Sequence, residues 1–142
     1  MRTVVAAVIQ RGDRKLLIGQ RRRDDSSALK WEFPGGKVRD GEAAEAALAR
    51  ELREELGVTL TKCVEIGRVR HQYTSMPDEL EIRFFAAELA EEEAAPLSFE
   101  QLAWVFPKEL GDYDFLAANR ELIANLATGR IKPAEILVAA AK

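Results

Sequence analysis

Two spacings of apolar residues alternate along the chain. Thr3 to Ile9 is an unbroken run of apolar and β-branched residues, which predicts a buried strand. Arg11-Gly12-Asp13-Arg14 reads as a turn, and Leu16 to Ile18 as a second strand, so the two are expected to form a hairpin. The spacing then lengthens. Leu48, Leu52 and Leu56 stand at i, i+4 and i+8, predicting a helix from Glu42 to about Leu56 with one apolar stripe. Ala43, Ala44, Ala46, Ala47 and Ala49 favour that helix and allow close packing on a sheet. Cys63 to Arg70 alternates loosely as a strand and continues into His71-Gln72-Tyr73. Beyond a turn at Thr74 to Asp78, Leu80, Ile82 and Phe84 share one strand face and Glu81, Arg83 and Phe85 the other, predicting a second hairpin. Ala103 to Phe106 is a short strand, Asp114-Phe115-Leu116-Ala117-Ala118-Asn119 opens a helix through Leu126, and Pro133 to Ala141 forms a last one.

The helix that begins near Glu42 also carries the densest chemistry. Glu51, Glu54 and Glu55 stand at i, i+3 and i+4 and so project from one face, beside the leucine stripe. A helix anchored on one side and carboxylate-bearing on the next is a platform for a hard cation, because Mg²⁺ takes oxygen ligands and commonly binds through a few carboxylates plus substrate phosphates. Taken singly, each glutamate reads as a solvated residue in i,i+4 pairs such as Arg50 with Glu54. The constellation outweighs that reading: Gly35-Gly36 precede the helix and Gly57 follows it, where glycine suits a helix stop and close backbone approach.

The stretch Gly36 to Val58, GKVRDGEAAEAALARELREELGV, resembles the Nudix box, the signature of hydrolases of nucleoside diphosphate derivatives. Gly36, Glu42, Arg50-Glu51-Leu52, Glu54-Glu55 and Gly57-Val58 fill every fixed position of that pattern. The preceding Trp31-Glu32-Phe33-Pro34-Gly35-Gly36-Lys37 looks like the lead-in of the MutT-like branch of the family. The resemblance implies metal ligands at Glu51, Glu54, Glu55 and the Gly35 carbonyl, with Glu32 near the phosphates or metal and Lys37 near the phosphates. It implies a nucleotide contact at the end of the second strand, where Arg21 falls in register and Arg22 and Arg23 are neighbours. Arg50 would orient a glutamate by a charge-assisted bond. One box glutamate, or Glu100, would act as base. Glu100 stands closer to Trp104 than the family spacing, where Ser98 is found. Tyr73 and Phe84 fall where related proteins form part of the base pocket, although aromatic residues in strands usually pack in the core. Asn119 matches an asparagine that reads the purine edge; its bland reading is a helix cap. For Trp31 and Phe33, core packing is the expectation.

Composition narrows the setting. With 142 residues, one domain spanning 1–142 can bury a core of its own. A net charge of −3 argues against a surface that coats a nucleic acid polymer, while a metal can still neutralise the phosphates of one nucleotide. The one cysteine, Cys63, excludes an intrachain disulfide and reads as a small core residue. No apolar run is long enough for a signal peptide or a membrane span, so the expectation is a soluble cytoplasmic protein, monomer or homodimer.

The resemblance therefore implies an α/β Nudix fold, a mixed β-sheet sandwiched between helices. It implies Mg²⁺-dependent hydrolysis, with Mn²⁺ as a substitute, of a nucleoside triphosphate to monophosphate and pyrophosphate. The expected substrate is an oxidised purine nucleotide such as 8-oxo-dGTP, in nucleotide pool sanitation. The alternative is CTP or a modified pyrimidine triphosphate. A non-catalytic recognition module of the same family is a third reading, and such modules usually lose the carboxylates that this chain keeps.

Overall fold

The computed structural model describes residues 2–72, 78–90 and 93–140. Strands β1 (Arg2–Ile9), β2 (Leu16–Gln20), β3 (Trp31–Glu32) and β4 (Gly35–Lys37) precede helix α1 (Ala44–Leu56). Strands β5 (Leu60–His71), β6 (Leu80–Leu89) and β7 (Gln101–Val105) follow, then helices α2 (Arg120–Ala127) and α3 (Pro133–Ala140). Two 3₁₀ turns, Pro107–Asp112 and Ala117–Asn119, lie between β7 and α2.

The strands form a four-stranded sheet in the order β4-β1-β6-β5 and a three-stranded sheet in the order β3-β2-β7. The first is mixed, since β1 runs parallel to β6 and antiparallel to β4. The second is antiparallel. The hairpin expected of β1 and β2 is thereby corrected. A turn is present, closed by the Arg11 N–H donating to the Lys15 carbonyl at 2.9 Å and by a single bridge between Gln10 and Leu16. Both edges of β1 are already taken by β4 and β6, so β2 crosses to the other sheet. The β5–β6 hairpin forms as expected, with an irregularity between Glu65 and Gly67.

Alternation along the strands feeds two buried clusters. Val5, Ala7 and Ile9 of β1 and Phe85 and Ala87 of β6 meet the α1 stripe of Ala44, Ala47, Leu48, Leu52 and Leu56. Ala6, Val8, Leu80, Ile82 and Phe84 face the other way, toward Leu122 and Leu126 of α2. Helices thus cover both faces, which gives the α/β/α layering. The three α1 leucines are fully buried, each stabilising by about 1.5–3 kcal/mol, against about 0.3–0.5 kcal/mol for a surface i,i+4 ion pair. Core burial, not surface charge, fixes where α1 lies. Its end is set by Gly57, whose φ of 70° lets its N–H return to the Arg53 carbonyl. Among the described residues no helix is long and apolar enough to cross a membrane.

Candidate active site

The site is assembled where β4 runs beside α1. Gly35 pairs with Ala6 and Gly36 with Val5 of β1. A side chain at Gly35 would meet backbone, and one at Gly36 would displace the Glu51 carboxylate. A Cβ on Gly35 would lie 1.9 Å from the Val5 carbonyl oxygen, and one on Gly36 would lie 2.2 Å from Cδ of Glu51. The first glycine lets β4 approach β1, and the second lets a helix carboxylate rest on the strand. The Gly35 N–H donates to Oε1 of Glu55 at 2.8 Å. The glutamate face of α1 is therefore turned toward the glycine strand.

Arg50 organises the solvent side of that face. Its Nε and Nη2 donate to the two carboxylate oxygens of Glu42, each at 2.9 Å, and Nη1 donates to Oε1 of Glu51 at 2.8 Å. Nη2 also donates to the Lys37 carbonyl at 3.0 Å, which ties α1 to the end of β4. Nη1 lies 3.5 Å from Oε2 of Glu54, whose side chain is half exposed. Glu42 itself stands before the first helical turn, where it also accepts the Arg39 N–H at 3.0 Å. The Arg50 fork, with help from that N–H, holds the Glu42 carboxyl well below its ordinary range, at about 2. Arg50 is correspondingly raised by its bonds to Glu42 and Glu51.

The second sheet contributes Glu32 at the end of β3. Burial raises its pKa despite the charge of Arg21, whose Nη1 donates to Oε1 of Glu32 at 2.9 Å. Glu55 is driven further, to about 8, by burial first, opposed by the Gly35 N–H and reinforced by the charges of Glu32 and Glu51. Three carboxylates, one from a strand of the second sheet and two from α1, thus crowd a partly buried region where one of them cannot easily ionise unaided. A hard divalent cation fits this donor set, because it supplies the missing positive charge to oxygen ligands. Among the described residues no three acidic, histidine or cysteine side chains stand so that they could hold a cation by themselves, so phosphate oxygens, water and the Gly35 carbonyl would have to complete its shell.

The other residues named from the sequence fall at varied distances from this cluster. Arg21 is held locally, with Nε donating to the Ser26 carbonyl at 2.9 Å. Arg22 donates to the Leu97 carbonyl at 2.7 Å, and exposed Arg23 pairs with Glu100 at 3.7 Å. Arg22, Arg23, Asp24, Phe99 and Glu100 line an open cleft of about 400 Å³. Glu100 lies just before β7, on the edge of β2 opposite β3, its N–H donating to the Gln20 carbonyl at 2.8 Å. The Lys37 side chain is exposed. Phe84 is corrected from a base contact to a core residue: it is 1% exposed, and Phe33 packs edge-on against it at 6.4 Å. Trp31 and Phe33 are core residues as expected. Tyr73 lies outside the described residues.

Asn119 is the one buried polar residue among those described, at 5% exposure. It makes no capping bond to α2; its amide nitrogen donates to the Leu116 carbonyl at 3.4 Å. The cap alternative is thus met in position, since Asn119 is the N-cap residue of α2, and not in side-chain bonding. Segment 114–116 runs along the edge of β3, where the Trp31 N–H donates to the Asp114 carbonyl at 2.9 Å and the Leu116 N–H to the Trp31 carbonyl at 3.1 Å. Asn119 thereby lies three residues beyond a segment paired with the strand that carries Glu32.

Sequence reasoning missed Phe99, which packs on Gly19 of β2. A Cβ on Gly19 would lie 2.6 Å from the Phe99 ring. The signal was a glycine inside an apolar strand, which often marks close approach of another group.

Comparison with known proteins agrees with this arrangement. Residues 1–126 match the NUDIX domain family. A CTP pyrophosphohydrolase of Escherichia coli is 36% identical, with 93% of this chain and 96% of that protein covered. An 8-oxo-dGTP diphosphatase of the same species is 31% identical, covering 87% and 94%. The crystal structure of a MutT protein from Methanosarcina mazei superimposes with a TM-score of 0.81 over 92% of this chain and 96% of the other, at 24% identity, a likeness of fold.

Proposed function

This chain belongs to the Nudix family, and from that premise we propose that it is a Mg²⁺-dependent pyrophosphohydrolase of oxidised purine nucleoside triphosphates such as 8-oxo-dGTP. The observation that carries the hydrolytic part is the Gly35–Glu55 contact, which turns the α1 carboxylates toward the glycine strand and next to Glu32. Glu51, Glu54, Glu55 and the Gly35 carbonyl would hold the ion, with phosphate oxygens and water completing its shell. Mn²⁺ would serve as a substitute. When bound, the metal neutralises phosphate charge and acidifies the attacking water.

The remaining work falls to the chain's own residues. Arg50 holds Glu51 in place while its grip on Glu42 and the Lys37 carbonyl fixes its own position. Phosphoryl chemistry needs mainly positioning and charge stabilisation, so a rigid carboxylate frame suits it. Water adds to phosphorus, the α–β bridging P–O bond breaks, and the monophosphate and pyrophosphate leave. A carboxylate among Glu51, Glu54, Glu55 and Glu100 takes the proton of the water. Lys37 would meet the phosphates, and Arg21 the nucleotide.

The purine assignment rests on Asn119. A buried amide that makes no side-chain capping bond, placed just beyond the segment paired with β3, can present both a donor and an acceptor to a base edge. The 8-oxo-dGTP diphosphatase relative supports the same reading. A second reading, a CTP or modified-pyrimidine triphosphate, is supported by the CTP pyrophosphohydrolase relative. The proposed setting is the cytoplasmic nucleotide pool, with one domain acting as a monomer or homodimer.

The test is pyrophosphate release in Mg²⁺ from 8-oxo-dGTP, dGTP, CTP and 5-methyl-dCTP. A kcat/KM for 8-oxo-dGTP well above that for dGTP supports the purine reading. Preference for a pyrimidine triphosphate replaces it with the second.

A further inference from the structure

The carboxylate cluster draws on two separately built parts. Glu51 and Glu55 ride on α1, which packs on the four-stranded sheet. Glu32 rides on β3, which pairs with β2 of the three-stranded sheet and is bridged at Trp31 to Phe115. On one side the short Phe33-Pro34 link and the Gly35 N–H bond to Glu55 join the two parts; on the other, across β2, a packing contact spaces them.

Phe99 is placed to be that contact. It is 4% exposed and belongs to the same buried cluster as Leu52 and Leu56 of the last α1 turns. Its ring occupies the volume above Gly19, where Cδ1 and Cε1 leave only 2.6 Å to a would-be Cβ. Gly19 is the residue that pairs with Glu32 across β2 and β3. The ring therefore stands between the backbone that carries Glu32 and the helix end that carries Glu55. The flanking chain is fastened on both sides. The Leu97 N–H donates to the Glu55 carbonyl at 3.1 Å, and the Glu100 N–H to the Gln20 carbonyl at 2.8 Å. The Leu97 carbonyl accepts from Arg22 at 2.7 Å. Residues 97–100 thus strap α1 to β2, with Phe99 as the spacer under the strap.

We propose that Phe99, seated on Gly19, is a positioning residue that sets the separation of Glu32 from Glu55 and thereby the affinity of the carboxylate cluster for its divalent ion. The inference rests on the metal-dependent reading given above. Close-packed interiors transmit small displacements, and a misplacement of about 1 Å can cost roughly 100-fold in rate. Truncating the ring lets the helix end and β2 settle toward each other. Adding a methyl group at Gly19 pushes them apart. Either change should weaken the ion.

The experiment measures Mn²⁺ binding directly, by electron paramagnetic resonance of the free ion, on the full chain. Wild type is compared with Phe99→Leu, Gly19→Ala and the Gly19→Ala/Phe99→Leu double variant, with thermal unfolding followed in parallel. The expected result is a dissociation constant raised about ten-fold in each single variant and recovered toward wild type in the double one, because the smaller side chain makes room for the methyl group. The kcat measured at saturating Mg²⁺ should recover in the same order. A ring that only stabilises the fold would lower the melting temperature and leave the Mn²⁺ constant of the folded protein unchanged, and that result overturns the proposal. Single-variant losses that add in the double variant overturn it as well. A wild-type protein that binds no Mn²⁺ overturns both this inference and the metal-dependent reading, whereas normal wild-type binding with unaffected variants removes this inference alone.

Discussion

The Gly35 N–H donates to Oε1 of Glu55 across 20 positions of sequence. This bond joins the glycine strand to the carboxylate helix, and both partners are constrained. A methyl group on Gly35 would overlap the Val5 carbonyl. Gly35→Ala should therefore destabilise the protein by about 1–3 kcal/mol, the usual cost of overpacking, as read by urea unfolding. A variant as stable as wild type would show that β4 can move away from β1 freely.

Arg50 makes a planar fork against Glu42 while also reaching Glu51 and the Lys37 carbonyl. A lysine keeps the charge but cannot reproduce that geometry. Arg50→Lys should lower kcat by roughly 10- to 100-fold, the range found when groups that orient metal ligands are lost. Circular dichroism should show the fold retained.

Glu42 supplies the pH dependence. Its carboxyl lies at about 2 in the folded protein against an ordinary value of 4.5, so the folded state favours the ionised form. The stabilisation is complete above the ordinary value and is lost as pH falls through about 2. Glu42→Gln should therefore flatten the acid limb of the stability curve between those values. A melting temperature profile from pH 2 to 6 checks this, with an unchanged slope counting against the Arg50–Glu42 fork.

Asn119→Ala should reduce the kcat/KM preference for 8-oxo-dGTP over dGTP by about ten-fold, in line with the cost of an unmade buried hydrogen bond. Rates on pyrimidine triphosphates should change less. Equal losses on all bases would assign Asn119 to packing.

Much of the fold was legible because it depends on local periodicity. The leucines of α1 and the alternation of Leu80, Ile82 and Phe84 each fixed an element and its faces. Pairing was legible only where the partners were adjacent, as for β5 and β6. The β1–β2 hairpin failed because β1 is flanked by β4 and β6, the latter some 80 residues away and running parallel. Phe84 was misplaced for a related reason: alternation separates two faces but does not say that both are covered. In the site, the i, i+3, i+4 glutamates were visible as a face. Their division was not, since Arg50 takes Glu51, the Gly35 N–H takes Glu55, and Glu54 stays half exposed. The burial of Asn119 and the seat of Phe99 on Gly19 depend on contacts between distant segments; the glycine in β2 marks a close approach, but no local pattern names the partner.

The central claim is that the α1 carboxylates run a metal-dependent cleavage giving monophosphate and pyrophosphate. The most direct measurement is a product analysis of nucleoside triphosphate hydrolysis, with and without Mg²⁺, for wild type and Glu54→Gln. Glu54 is half exposed, so its substitution should move stability by no more than about 0.5 kcal/mol. The account predicts monophosphate and pyrophosphate only, from wild type with Mg²⁺, and loss of most turnover in the folded variant. Turnover that persists without a divalent ion, or a Glu54→Gln variant as active as wild type, would contradict it.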